Sequence, residues 1–324
     1  FTKSPCTWYF NNKNLEQTVA LQIISPMDGE ATLVSALGDQ DGFRYTGNLD
    51  AAPADKHKPP RWTTLSIAYA VKDPMKMVKT INKPPYGCIS YDNGITWSDF
   101  KKKPENAKAG GGTRSIALTA DGRSIVWLPE KAELVYSRDD GATWKKCGGG
   151  VPAMRPVADT VHPSKVYVYD SNRGEMWVSD NGGESFSRKE GKFEYVVKWT
   201  PDDCMAAAVI GLENHVWVTA DTKGLFRTPD GGDTVIKIEG VDEAYRIGFG
   251  KAAPGNTYPA VFINGKIGGV YGFYRSDDMG ATWARINDDL HQYGWIHCII
   301  GDPRQYGRCY VAPEGRGVIY GDFE

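Results

Sequence analysis

The chain has 324 residues, with 38 Lys and Arg against 40 Asp and Glu, giving a formal charge of −2. This balance removes any general electrostatic case for nucleic acid, whose binding rests on a surplus of cations. No run approaches the roughly 18 apolar residues of a membrane span, so neither nucleic acid nor a membrane is expected as a partner.

The chain opens on Phe1 with no initiator Met and no signal-like apolar core, which reads as a processed or engineered N-terminus. Its first predicted strand is Cys6-Thr-Trp-Tyr-Phe10. Three more follow at Ala20–Ile24, Thr32–Ala36 and Gly42–Tyr45. From there a motif, Ser-x-Asp-x-Gly-x-Thr-Trp, sets the organisation. It is complete at Ser90–Trp97, Ser137–Trp144 and Ser276–Trp283. Worn copies start at Ser179 and Thr228, and successive copies begin 47, 42, 49 and 48 residues apart. That is the length of one four-stranded propeller blade with its loops. Within the box, Gly supplies a positive φ, Asp accepts backbone N–H bonds across the turn, and Trp buries its ring between blades. The carboxylates of Asp92, Asp139 and Asp278 are therefore read as structural, neither catalytic nor calcium-binding.

Between the boxes lie β-rich segments such as Lys165–Tyr169, His215–Thr219 and Pro259–Ile263, set among turns rich in the 37 Gly and 19 Pro. Lys101–Lys103 reads as a solvated loop. After Trp283 come three strands, Ile296–Ile300, Cys309–Ala312 and Val318–Tyr320, and Cys6–Phe10 is expected to supply the fourth. The expected fold is all-β: a single seven-bladed β-propeller over 1–324, its ring closed by strands from both termini. Six cysteines with no Cys-x-x-Cys pattern disfavour zinc and favour disulfides. Cys298 and Cys309, flanking the turn 301–307, are expected on neighbouring strands, with Cys6 on a strand able to join them. No metal and no cofactor are expected.

In a propeller the loops between second and third strands converge on one face. Here they carry Asp39 and Asp41, Asn82 and Lys83, Glu130, Asp170 and Asn172, Asp221 and Lys223, Asn264 and Lys266, and Glu314 and Arg316. Carboxylates ringed by Lys, Arg and Asn suit a sugar-binding or glycoside-cleaving cleft, since hydroxyls are gripped by charged hydrogen bonds and hydrolysis uses two carboxylates. His291, Tyr293 and His297 adjoin the last blade and join the candidate contacts. Other chemistries lack their signatures. No Gly-x-Ser-x-Gly elbow is present, Gly110–Gly112 lacks the Lys-Ser/Thr ending of a phosphate loop, and no arginine cluster near the start supports a sialidase.

The segments Val241–Gly255, Tyr274–Asp278, Arg285–Asp289, His291-Gln-Tyr-Gly294, Gly301–Arg304 and Gly315–Asp322 resemble the second propeller of glycoside hydrolase family 74. Glu16–Ala20, Ile24–Pro26 and Ser35–Asp39 with Gly42-Phe43 resemble that propeller's start, so the likeness spans nearly the whole chain. The resemblance implies a secreted xyloglucanase or a reducing-end-specific xyloglucan cellobiohydrolase. Two propellers would face each other across a β-1,4-glucan, each giving one Asp to hydrolysis with inversion. Asp39 matches the second propeller's Asp. The family's Asp-Ile-Gly-Gly-Phe is Asp39-Gln40-Asp41-Gly42-Phe43 here, and Trp295 and His297 stand where the family has small or apolar residues. With no first propeller in the sequence, the second carboxylate is sought among Asp41, Glu130, Asp170, Asp221 and Glu314. Lys83, Asn172, Lys223, Asn264, Lys266, His291, Tyr293 and Arg316 are the expected substrate contacts. Three readings stay open: a hydrolase acting on xyloglucan-like polysaccharide, alone or with a second propeller as partner; a non-catalytic glycan binder; and a protein-interaction propeller.

Overall fold

A computed structural model describes residues 18–50, 53, 56–194 and 204–322. Among these residues every regular element is a strand. Blade 1 holds β1 (Ala20–Ile24), β2 (Leu33–Leu37) and β3 (Arg44–Tyr45). Blade 2 holds β4 (Thr64–Ala70), β5 (Asp73–Ile81), β6 (Gly87–Ser90) and β7 (Ser98–Asp99). Blade 3 holds β8 (Ile116–Leu118), β9 (Ile125–Trp127), β10 (Val135–Ser137) and β11 (Lys145–Lys146). Blade 4 holds β12 (Pro156–Ala158), β13 (Val166–Asp170), β14 (Glu175–Ser179) and β15 (Ser187–Lys192). Blade 5 holds β16 (Cys204–Ala208), β17 (Val216–Ala220), β18 (Leu225–Thr228) and β19 (Ile236–Ile238). Blade 6 holds β20 (Val241–Gly250), β21 (Ala260–Ile267), β22 (Val270–Ser276) and β23 (Ala284–Arg285). Blade 7 holds β24 (Ile296–Gly301), β25 (Cys309–Pro313) and β26 (Ile319–Gly321). Each blade is an antiparallel meander.

β1 packs against both β4 and β24, so the seven sheets form a closed ring, a seven-bladed β-propeller. The innermost strands line a central channel of about 270 Å³, from Ile24 in blade 1 round to Ile300 in blade 7. Seven apolar clusters fill the seven gaps between neighbouring blades. Leu33 and Ile23 meet Tyr310 between blades 1 and 7, for example, and Ile67 meets Val34 between blades 2 and 1. Because every sheet is covered on both faces, central strands such as Val166–Asp170 and Val216–Ala220 are buried at every position. The predicted strand Cys6–Phe10 lies outside the described residues.

The boxes form as their chemistry predicts. Ser90 Oγ donates to Asp92 Oδ1 at 2.8 Å and accepts from Gly94 N at 3.0 Å. Asp92 Oδ1 accepts from Thr96 N at 2.8 Å, and Trp97 Nε1 donates to Gly94 O at 3.1 Å. Gly94 has φ +84°, the left-handed conformation this turn requires. The Ser and Asp bonds recur at Ser137–Asp139–Thr143 and Ser276–Asp278–Thr282, and Asn181 and Asp230 take the Asp place in the worn copies, while the Trp144 indole donates to Lys102 O instead of the box glycine. All join third to fourth strands. In an up-and-down meander these turns therefore lie on the opposite face from the second-to-third-strand loops.

One expectation is corrected. Among the described residues no disulfide forms: Cys88, Cys147, Cys204, Cys298 and Cys309 are buried thiols. β24 and β25 do pair, but Cys298 faces Ala312 while Cys309 faces Gly301. The two thiols are offset along the ladder by three residues, beyond the reach of a disulfide between facing positions. Cys6 lies outside the described residues.

Candidate functional site

The blade 1 loop that carries Asp39 is a tight turn whose Leu37 N–H donates to Asp41 O at 2.8 Å. Asp39 and Asp41 take positive φ values of 62° and 70°, a region Asp tolerates better than most residues. Between the turn and β3, a Cβ on Gly42 would sit 2.0 Å from Ser35 O, so only glycine fits. The left-handed geometry sends the two carboxylates opposite ways: Asp39 is exposed and Asp41 is buried.

Asp41 is the centre of a buried charged cluster. Its Oδ1 accepts from Lys79 Nζ at 2.5 Å and from Thr64 Oγ1 at 2.6 Å, and its Oδ2 accepts from Arg61 N at 2.6 Å. His57 Nδ1 lies 3.4 Å from Asp41 and 3.0 Å from Lys79 Nζ. Lys79 also sits 4.7 Å above the ring of Trp97, the box tryptophan of blade 2. Burial alone would raise the Asp41 pKa, but the adjoining His57 and the Lys79 ammonium outweigh it and hold the carboxyl at about 2. Burial, reinforced by the Lys79 charge, lowers His57 to about 4. Burial also lowers Lys79, against the pull of Asp41.

These shifts fix an expected acid response. A base whose folded pKa lies below its unfolded one contributes stability that is complete above the unfolded value and lost as pH falls. His57 therefore loses its contribution between pH 6.5 and about 4, a swing on the order of 3 kcal/mol. Asp41, also depressed, loses its own between 3.8 and about 2. Urea titrations from pH 8 to 4 should show stability falling through the first window, and His57→Gln should flatten that fall. An unchanged slope in this variant would contradict the assignment.

The cluster clamps a second segment beside the turn. Asp41 N donates to Trp62 O at 3.0 Å and Asp39 N donates to Thr63 Oγ1 at 3.0 Å. Trp62, tied at its backbone, leaves its side chain outside: the residue is 64% exposed. Lys83 Nζ stands 5.2 Å from the Trp62 ring centroid. An exposed carboxylate, an exposed indole and an ammonium are thus held together at the junction of blades 1 and 2. Asp39 and Lys83 were legible from loop position. Trp62 was not, although a tryptophan in Pro59-Pro60-Arg61-Trp62, outside both box and strand, is a usable signal.

The remaining expected residues divide. Asp170 is buried and caps its own turn, accepting from Asn172 N at 3.0 Å. Asp221 is buried, its backbone bridged to Ala244. Asp41, Asp170 and Asp221 are therefore turned into the protein and do not present a carboxylate to the face. Glu130 is exposed near Lys131, and Glu314 is exposed with Oε2 2.8 Å from His297 Nε2. Asn172, Lys223 and Arg316 are exposed on their loops. Lys266 lies 3.4 Å from Glu243, and Asn264 is buried against Tyr271. His291 Nδ1 is 2.6 Å from Asp288, while Tyr293 stacks on Phe273 at 11° between planes. These last residues gather around blades 6 and 7, not around Asp39.

A seven-bladed ring with aromatic, carboxylate and basic side chains on one loop face defines the class: a β-propeller with a polar loop face. No family model matches the chain, but individual relatives do. It is 39% identical to xyloglucanase Xgh74A of Acetivibrio thermocellus over 95% of its own length and 36% of that protein's. It is 30% identical to the oligoxyloglucan-reducing end-specific xyloglucanase of Emericella nidulans, over 98% of the chain and 42% of that protein. The solved GH74 enzyme of Niastella koreensis superposes with a TM-score of 0.84 at 35% identity, over 94% of this chain and 43% of that one. The chain is one propeller portion of glycoside hydrolase family 74. It spans less than half the length of these relatives.

Proposed function

We propose that the loop face bearing Asp39 and Trp62 is one wall of a cleft for xyloglucan-like β-glucan, and that Asp39 is one carboxylate of its hydrolysis. The observation that carries this reading is the double tether. The exposed Asp39 and the exposed Trp62 ride on two backbone segments bonded to each other, so carboxylate and sugar platform keep a fixed relation. Rigid placement of this kind is what acid–base catalysis on a glycosidic bond needs. Lys83 beside the indole adds a donor for sugar hydroxyls. The xyloglucanase names of the relatives support the substrate class.

Within the described residues Glu314 is the better placed second carboxylate. It is exposed, and blade 7 adjoins blade 1. Inversion calls for roughly 6.5–9.5 Å between carboxyls. The inward turn of Asp41, Asp170 and Asp221 equally supports a reading in which the second carboxylate comes from another propeller across the cleft. The substrate is an extracellular polymer, and the protein is accordingly proposed to be secreted.

Titration of the protein with a xyloglucan oligosaccharide tests the site. Trp62→Ala should weaken binding at least tenfold, about 1.4 kcal/mol, with the melting temperature unchanged because the indole is exposed. Equal affinity in this variant would remove Trp62, and with it the proposed wall.

A further inference from the structure

The first strands of blades 1, 2, 6 and 7 each carry an extra residue in the ladder, at Leu21, Leu65, Tyr245 and His297. A bulge of this kind re-aims a side chain. In blades 1 and 2 the extra residue is a leucine; in blade 7 it is His297, whose Nε2 lies 2.8 Å from Glu314 Oε2. Glu314 N also donates to Trp295 O at 2.8 Å, so Glu314 is held at its backbone and at its carboxylate by residues at the start of β24. Trp295 lies on the connection from blade 6 to blade 7, which in an up-and-down meander shares the face of the second-to-third-strand loops. It is 53% exposed and stands at a hollow of about 280 Å³. The Arg246 guanidinium lies 5.6 Å from the indole centroid. Arg246 is buried and bonded to Tyr245 O and His297 O among others, with the buried Asp221 bridged to Ala244 nearby, so it braces the indole and offers no free charge.

We propose that Trp295, Glu314 and His297 form a second sugar-contact unit on the Asp39 face, which takes one neutral pyranose of the bound glucan and makes the protein prefer long chains to short ones. The unit rests on the reading of that face as a glucan wall. It repeats the arrangement of Asp39 and Trp62: an exposed carboxylate and an exposed indole on backbone segments bonded to each other. The indole gives a flat apolar face, and the carboxylate accepts charge-assisted bonds from sugar hydroxyls. The ligand is neutral, because Glu314 beside the indole repels a carboxylated sugar. His297 acts through Glu314 and is a positioning residue: with the imidazole bonded to it, the carboxylate has less freedom to lose on binding. Two contacts on one face act in series, since the second binds at the effective concentration set by the first. A chain too short to reach both gains nothing from the second.

Isothermal titration of the whole chain with a ladder of xyloglucan oligosaccharides tests it. Affinity should step up about tenfold or more at the length that reaches both tryptophans. Trp295→Ala should remove that step with the melting temperature unchanged, since the indole is exposed. His297→Ala should lower the affinity for the longest oligosaccharide severalfold. His297→Gln, whose amide N–H can take the imidazole's place beside Glu314, should recover most of that loss. Glucuronate should not displace the oligosaccharide. An unchanged length dependence in Trp295→Ala, or displacement by glucuronate, would overturn the proposal, and equal losses in the two His297 variants would remove the positioning role. Failure of the Asp39–Trp62 wall reads differently: Trp62→Ala without effect, beside weakened binding in Trp295→Ala, would remove that wall and leave Trp295 as the contact. No binding at any length would overturn both.

Discussion

Lys79→Met is expected to destabilise the propeller by about 3–5 kcal/mol, the cost of stripping one partner from a buried ion pair. Lys79 and Asp41 are both completely buried, and no water reaches the carboxylate left behind. Thr64 Oγ1 and Arg61 N would still donate to Asp41, but neither carries a charge there. Adding Asp41→Asn to the same chain should recover most of the loss, because the orphaned charge goes with it and Asn tolerates the left-handed backbone at φ +70°. The loss should also shrink in mild acid. The Lys79 charge is one of the forces holding His57 neutral; once it is gone, His57 can protonate and replace it beside Asp41. Denaturant titrations at pH 8 and pH 5.5 of the single and double variants measure all three terms. Equal losses in both variants would show that packing around Lys79, not charge, dominates.

Asp39→Asn is expected to lower xyloglucan turnover about 10²- to 10⁴-fold, the range for removal of a positioned acid or base. The substitution keeps shape and backbone preference, and the Asp39 N bond to Thr63 Oγ1 does not involve the side chain. Oligosaccharide affinity should therefore stay within about threefold, since the proposed stacking on Trp62 does not involve the Asp39 side chain. A fall in affinity with unchanged turnover per bound complex would make Asp39 a binding residue instead. The measurement is initial-rate release of new reducing ends, analysed separately for kcat and KM.

Much of the architecture was open to reading from the chain. The boxes fix their own turns through short-range bonds, so five blade positions follow from spacing alone, and the strand meander then assigns each loop to a face. Asp39, Lys83, Glu314 and Arg316 fall on the predicted face for that reason. What stayed hidden depends on contacts between residues far apart. Asp41 reads as a second exposed carboxylate beside Asp39. It is turned inward by a left-handed turn and by Lys79, 38 residues later, inside a strand whose inner half is otherwise apolar or hydroxylic. The expectation of disulfides met a register the chain does not announce: Cys298 and Cys309 lie on neighbouring strands as foreseen, but the pairing slides the two thiols past each other. Trp295 and Arg246 meet across two blades, a proximity no local pattern announces.

Xyloglucan is proposed to lie against the turn 38–43 and the segment 61–64 that is bonded to it. Hydrogen exchange read with and without a xyloglucan oligosaccharide tests this placement most directly. Slowed exchange is expected in peptides covering these two segments and none in the box turns 137–144 and 276–283 on the opposite face; the box turn 90–97 is set apart because Trp97 N donates to Lys58 O, beside the second segment. Protection confined to the box face, or bound oligosaccharide with no change at 38–43 and 61–64, would contradict this placement.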